Sequence, residues 1–239
     1  MNIILFYSTE VELPLPRNDA RARHILEVLR REPGDTFDAG IINGPRGTAT
    51  LVAVEPDALT LKFAWGETPP PLPPIHLLIG LPRPQTARDI LRDGTSLGVA
   101  SLHLIRTDKG EASYAGANLW LAGEWTDHLI QGAAQAFCTR LPEVTHGRSL
   151  TAALAALPAD AARVVLDNYE ATIAFSHFPL AAGQPVVLAL GPERGWSDAE
   201  RNLFRAAGFT VAHLGPRVLR TENAVTVAVT LLSAKLGLL

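Results

Sequence analysis

The 239-residue sequence predicts an α/β protein of two domains, a small β-barrel over residues 1–72 and a larger α/β domain over residues 73–239. Three observations lead there. The segment Thr68-Pro69-Pro70-Pro71-Leu72-Pro73-Pro74 cannot be helix or central strand, because proline has no amide donor and restrains its neighbours, so it reads as a stiff linker. Before it, short strand-like runs follow one another; after it, strand-like and helical runs alternate. In the last quarter, two apolar runs each lead into a glycine-anchored turn, Gly191-Pro192-Glu193-Arg194-Gly195 and Leu214-Gly215-Pro216-Arg217-Val218-Leu219-Arg220-Thr221-Glu222.

In the first domain, residues 2–7, 36–42, 48–54 and 58–65 read as strands joined by turns such as Asn43-Gly44-Pro45-Arg46-Gly47. One helix is expected from about residue 19 to 31, with Ile25, Leu26, Val28 and Leu29 on the core side and Pro33-Gly34 ending it. In the second domain, strands are expected at 75–80, 101–105, 163–166, 185–190 and 209–213, and helices at 85–97, 119–137, 198–207 and 222–239. The runs at 185–190 and 209–213 are short and β-branched enough to be buried parallel strands. The last helix is almost wholly apolar from Ala224 to Leu232, which predicts burial on all sides or contact with another subunit. Ligands of open α/β sheets sit beyond the carboxyl ends of the strands. The two turns lie there; glycine allows close backbone approach, and a helix starting past each turn directs free NH groups at an electron-rich ligand edge.

Composition narrows the classes. With 47% hydrophobic and 19% charged residues the chain is ordinary and globular. No apolar stretch reaches transmembrane length, and residues 1–15 lack a basic start before an apolar core, so a cytoplasmic protein without a membrane partner is expected. Cys138 is the single cysteine, which excludes disulfide frameworks and cysteine-based zinc sites. The net charge of −3 argues against a basic nucleic-acid wrapper, yet 18 arginines stand against 3 lysines. Arginine suits bidentate phosphate contacts, and genome composition produces the same bias. Around the first helix, Arg17, Arg21, Arg23, His24, Arg30 and Arg31 outnumber Asp19, Glu27 and Glu32, forming either an RNA-facing patch or a solvated helix face. Dinucleotide and triphosphate glycine motifs, histidine pairs at metal-ligand spacing and a serine nucleophile elbow are all missing, so no metal is expected; His103 and His213 lie in apolar runs and read as core histidines.

Gly191-Pro192-Glu193-Arg194-Gly195-Trp196-Ser197-Asp198-Ala199-Glu200, followed by Leu214 to Ala224 in this order and spacing, resembles the RsmE family of ribosomal RNA methyltransferases. The likeness extends over His24 to Gly34, Leu97-Gly98-Val99, and Ala133-Ala134-Gln135 through Arg140 and Pro142. It implies a PUA-like RNA-binding barrel before a SPOUT methyltransferase domain with a deep trefoil knot. It also implies a homodimer with composite sites, S-adenosyl-L-methionine as cofactor, and N3 of a uridine in 16S rRNA of the small ribosomal subunit as acceptor. Arg194 stands where the family carries glycine, Asn223 where it carries threonine, and Ser96 where it carries glutamate. Those departures keep two alternatives open: a SPOUT enzyme acting on transfer RNA or a ribose 2′-hydroxyl, and a catalytically silent RNA-binding paralogue.

On the resemblance, Leu190, Gly191, Glu193, Gly195, Leu214, Gly215, Val218, Leu219, Thr221 and Ala224 are expected to hold the cofactor. Arg21, Arg23, Arg30, Arg194, Arg217 and Asn223 are expected to meet RNA. Methylating N3 requires its proton to leave, so a base or a positive charge facing the developing imidate is needed. Arg220 and Glu222 are the catalytic candidates, against plainer roles as a salt bridge and a helix-start carboxylate. Glu193 is as easily a brace for nearby NH groups, and Gln135 and Arg140 serve either RNA binding or packing.

Overall fold

The computed structural model describes residues 2–181 and 183–239. Two units emerge, the first comprising the chain up to Pro71 together with Ala133–Leu141, the second Leu72–Gly132 and Pro142–Leu239.

The first unit contains β1 (Ile4–Phe6), β2 (Leu15–Pro16), α1 (Ala20–Arg23), β3 (Thr36–Ile41), β4 (Arg46–Val54) and β5 (Ala58–Trp65). They form one five-stranded mixed sheet, order β1-β3-β4-β5-β2, in which β1 runs parallel to β3 and the other pairs are antiparallel. Phe6, Leu15, Ile25, Phe37, Leu51 and Leu59 fill its core. The segment after Ala133 belongs here because Ile3 N donates to Ala134 O and Thr139 Oγ1 to Gly44 O. Arg140 donates from Nε and Nη2 to Pro69 O, which makes it a clamp on the proline segment.

The helix expected over 19–31 is a correction. Asp19 accepts from Arg21 N and caps a single α-helical turn, after which His24–Val28 widens into a π-turn. Leu29 N donates to His24 O and Arg31 N to Ile25 O, and Arg30 stands at φ +52°. The wider turn keeps Ile25 buried while Val28, expected in the core, is 65% exposed.

The second unit contains β6 (Ile75–Gly80), α2 (Pro84–Ser96), β7 (Ser101–Arg106), α3 (Asn118–Leu121), α4 (Trp125–Gln135, its end counted with the first unit), β8 (Glu143–Ser149), α5 (Leu150–Ala155), β9 (Ala162–Leu166), β10 (Ile173–Ala174), β11 (Val186–Leu190), α6 (Asp198–Ala206), β12 (Thr210–His213) and α7 (Thr221–Lys235). Seven strands form an all-parallel sheet, order β10-β12-β9-β11-β6-β7-β8. The single helix expected over 119–137 is two, α3 and α4, and β8 and β10 were not foreseen. On one face Leu78, Ile105, Val165, Val187 and Ala189 pack against Leu150, Ala153, Trp196, Phe204 and Phe209. Val186, Leu188 and Leu190 alternate to the other face, where α7 packs on β11 and α2 on α7. Val225, Ala228, Val229 and Leu232 of α7 are buried, whereas Val227 and Leu231 are exposed in the single chain. Among the described residues no helix is long and apolar enough to cross a membrane.

A polar chain crosses the sheet: His76 Nδ1 meets Ser101 Oγ at 2.8 Å, Ser101 Oγ meets His103 Nε2 at 2.9 Å, and His103 Nδ1 meets Thr145 Oγ1 at 2.9 Å. Burial holds both imidazoles below the ordinary histidine value of 6.5, against the opposing pull of Glu143. The unfolded chain therefore takes up these protons first as pH falls, so their stabilisation is present above about 6.5 and lost on acidification through that value toward the lower folded-state values. The melting temperature should fall between pH 7 and 5.5, and a His76→Gln/His103→Gln protein should show a shallower slope in the same scan. Equal slopes would contradict this account.

Candidate functional site

The carboxyl ends of β9, β11 and β12 open into one half-enclosed cleft of the second unit. Leu190, Gly191, Pro192, Glu193, Arg194, Gly195 and Trp196 supply one side; Leu214, Arg217, Val218 and Leu219, with Thr221 and Ala224 of α7, supply another; Leu166, Asp167, Asn168 and Tyr169 complete it.

Local chemistry fixes each wall. Gly80, ending β6, lies so close to the β11 turn that a Cβ there would stand 2.4 Å from Pro192 Cδ and 2.6 Å from Pro192 N. Gly195 has φ +66° and Gly215 φ +116°, backbone that L side chains adopt at a cost. His213 Nδ1 accepts from Gly215 N, so the core histidine expected in β12 anchors its turn. Trp196 is 1% exposed, donates from Nε1 to Leu166 O at 3.2 Å and packs edge-on against Phe204. Trp196→Ala should destabilise the protein by about 3–5 kcal/mol, read as a shift in thermal melting; a loss under about 1 kcal/mol would contradict its role as the cleft's floor.

The wall after β9 is an Asx turn. Asp167 Oδ1 accepts from Tyr169 N and Glu170 N, while Asp167 Oδ2 accepts from Arg201 Nε at 2.6 Å. This ion pair is largely buried, and Arg201 also reaches Asp198 and lies over the Tyr169 ring. Tyr169 and Val218 are left 82% and 83% exposed on the rim, two apolar surfaces available to a flat ligand. Ser197 and Glu200 form a reciprocal capping box at the start of α6, which holds the chain leaving Trp196.

A second pocket adjoins the first, with Glu193 and Arg194 lining both. It takes Arg83 and Thr86 from the start of α2, Lys109, Gly110, Glu111 and Tyr114 from the segment after β7, and Arg220 and Glu222 from the start of α7. Glu193 Oε1 accepts from Arg83 N at 3.2 Å, and Lys109 Nζ donates to Trp196 O at 2.8 Å.

The residues expected to hold cofactor thus line the first cleft, apart from Gly215, which shapes the turn from behind. Arg220 and Glu222 stand in the second pocket. Arg194 and Arg217, assigned to RNA, line the first cleft; Asn223 is exposed and lines neither. Positive φ among described non-glycine residues is confined to Arg30, Asn43 and Phe137, so Arg194 occupies its glycine-like position without backbone strain. Of the arginines assigned to RNA in the first unit, Arg21 has its guanidinium engaged by Glu10 and Asp19 and lying over Phe6, whereas Arg23 and Arg30 are exposed. Leu166 to Tyr169, Trp196, Arg83 and Tyr114 were not singled out as site residues. The Asp167-Asn168 pair, a common turn former, was the available signal for the first of these.

An all-parallel α/β sheet with adjoining pockets at its carboxyl edge defines a ligand-binding α/β enzyme fold. The RNA methyltransferase domain model matches residues 68–233. The chain is 38% identical to the ribosomal RNA small subunit methyltransferase E of Treponema pallidum over 95% of this chain and 89% of that one. Among solved structures it resembles a probable rRNA-methyltransferase from Porphyromonas gingivalis, with a TM-score of 0.82, 22% identity and 99% of each chain covered. It also resembles the ribosomal RNA small subunit methyltransferase E of Neisseria gonorrhoeae bound to S-adenosyl methionine, with a TM-score of 0.78, 22% identity and 98% of each chain covered. The chain belongs to the ribosomal RNA small subunit methyltransferase E (RsmE) family of RNA methyltransferases.

Proposed function

We propose that this protein methylates N3 of a uridine in 16S rRNA of the small ribosomal subunit, using S-adenosyl-L-methionine. The observation that carries the reading is the shared wall: a cleft suited to a nucleoside-like donor touches, across Glu193 and Arg194, a pocket containing Arg220 and Glu222. The first cleft fits the donor, since Gly191 and Gly195 leave the backbone bare and Tyr169, Val218 and Leu190 offer apolar faces to an adenine. Bound there, S-adenosyl-L-methionine supplies a methyl carbon already joined to its leaving group.

The protein's own work is then positioning and charge. The side chain of Arg220 has no hydrogen-bond or ion-pair partner among the described residues, so its guanidinium is available to a uracil carbonyl on which negative charge develops. Glu222, in the first turn of α7, faces the same pocket as an acceptor for the N3 proton. Thr221 and Ala224, on the same turn, line the donor side, so one helix start reaches both pockets.

The family implies more. We read the mixed sheet of the first unit as the PUA-like domain, the Leu214–Arg220 turn as part of a trefoil knot, and Val227 and Leu231 as part of a homodimer face in a cytoplasmic enzyme. Mass mapping of 16S rRNA tests the reaction. Deleting the gene should remove one methyl group from a uridine, and the purified protein should restore it on undermethylated subunits. An unchanged map would refute the reading.

A further inference from the structure

The pocket holding Arg220 and Glu222 has a composition that the methyl transfer alone does not require. Arg83 Nε donates to Thr86 Oγ1 at 3.1 Å, which orients the guanidinium while its two terminal nitrogens have no partner among the described residues. The side chains of Arg194 and Arg220 are likewise without hydrogen-bond or ion-pair partners there. The pocket holds four cations, Arg83, Lys109, Arg194 and Arg220, against three carboxylates, Glu111, Glu193 and Glu222, and no ion pair joins them; Glu193 is engaged by the Arg83 NH and Lys109 by Trp196 O. The thirteen-residue helix α2 starts at this pocket, with the Glu193 carboxylate on the NH of its first residue's neighbour Arg83 and no acidic residue in its own first turn. On the wall stands the half-buried ring of Tyr114, held in a short 3₁₀ turn over Ala112–Gly116.

Guanidinium groups without ion-pair partners select a phosphate, and an aromatic face selects a base. We propose that this pocket binds one nucleotide splayed out of single-stranded RNA, with its phosphate between Arg83 and Arg194 and its base against Tyr114. The inference rests on the reading above for RNA as substrate, and goes beyond it in assigning Arg83, Arg194 and Tyr114 as nucleotide-binding residues. Arg194 replaces the family's glycine, so this chain adds a phosphate contact at that position. An unpaired nucleotide fits because stacking on an aromatic side chain requires a base already out of its helix.

The test uses the full chain with S-adenosylhomocysteine bound and titrates uridine 3′,5′-bisphosphate by calorimetry at several salt concentrations. Wild type should bind. Arg83→Gln should weaken binding about tenfold or more, the loss expected for one charge-assisted hydrogen bond, and flatten the slope of log Kd against log salt. Tyr114→Leu should weaken binding about tenfold with an unaltered salt slope, and Tyr114→Phe should restore it. All should keep the wild-type affinity for S-adenosylmethionine, which reports an intact fold. No binding by wild type, or variants within twofold of wild type at the same slope, would overturn the assignment. Failure of the two readings is separable: bisphosphate binding with an unmethylated uridine contradicts the reaction, whereas methylation with unaffected variants contradicts the pocket.

Discussion

Gly80→Ala should lower the affinity for S-adenosylmethionine by about 5- to 150-fold, although residue 80 is not in the cleft. The added Cβ would fall 2.4 Å from Pro192 Cδ and 2.6 Å from Pro192 N, with Thr107 Cγ2 at 3.1 Å behind it. Pro192 is buried backbone and ring rather than the end of a flexible side chain, so the Gly191–Gly195 turn has to move. Overpacking of this kind costs roughly 1–3 kcal/mol, and about 1.4 kcal/mol of lost binding is tenfold. At Gly191 itself the contacts are milder, 3.2 Å to Gly195 Cα and 3.4 Å to Trp196, so alanine should be better tolerated there than at Gly80 and valine should not. Calorimetry with a parallel thermal melt measures both. Wild-type affinity in Gly80→Ala would mean that the turn does not contact the donor.

Arg220→Ala should reduce methyl transfer to ribosomal subunits by about 10²–10³, the range seen when one charge-stabilising donor is removed from an active site, while leaving cofactor affinity near wild type. The separation is expected because Arg220 lines the second pocket and not the first. Its side chain makes no cap hydrogen bond at the start of α7, so folding stability should change by less than about 0.5 kcal/mol. Arg220→Lys should recover part of the rate, because charge returns without the planar fork. Single-turnover rates with saturating donor are the measurement, and a wild-type rate in Arg220→Ala would remove the residue from the mechanism.

The second unit was legible where its chemistry is local. Buried runs such as Val186–Leu190 read as parallel strands, and the turns at Gly191 and Gly215 announced themselves by residue type. Features set by distant partners were not legible. Arg21 read as a surface cation because Glu10, which removes its charge from the surface, lies on another segment. Asp167 shapes a wall of the cleft through Arg201, 34 positions later. The Glu143–Ser149 strand carries no apolar run, since four of its seven positions are exposed and only β7 pairs with it. The π-turn at His24–Val28 kept the apolar spacing of a helix while turning Val28 outward. Gly80 was invisible as a site determinant because its meaning is Pro192, more than a hundred residues away.

The most direct measurement is a crystal structure of the protein with S-adenosylmethionine bound. Density for the donor should lie between the Gly191–Gly195 and Leu214–Leu219 turns, with its methyl group toward the pocket of Arg220 and Glu222. Donor density outside this cleft, or a methyl group directed away from that pocket, would contradict the account.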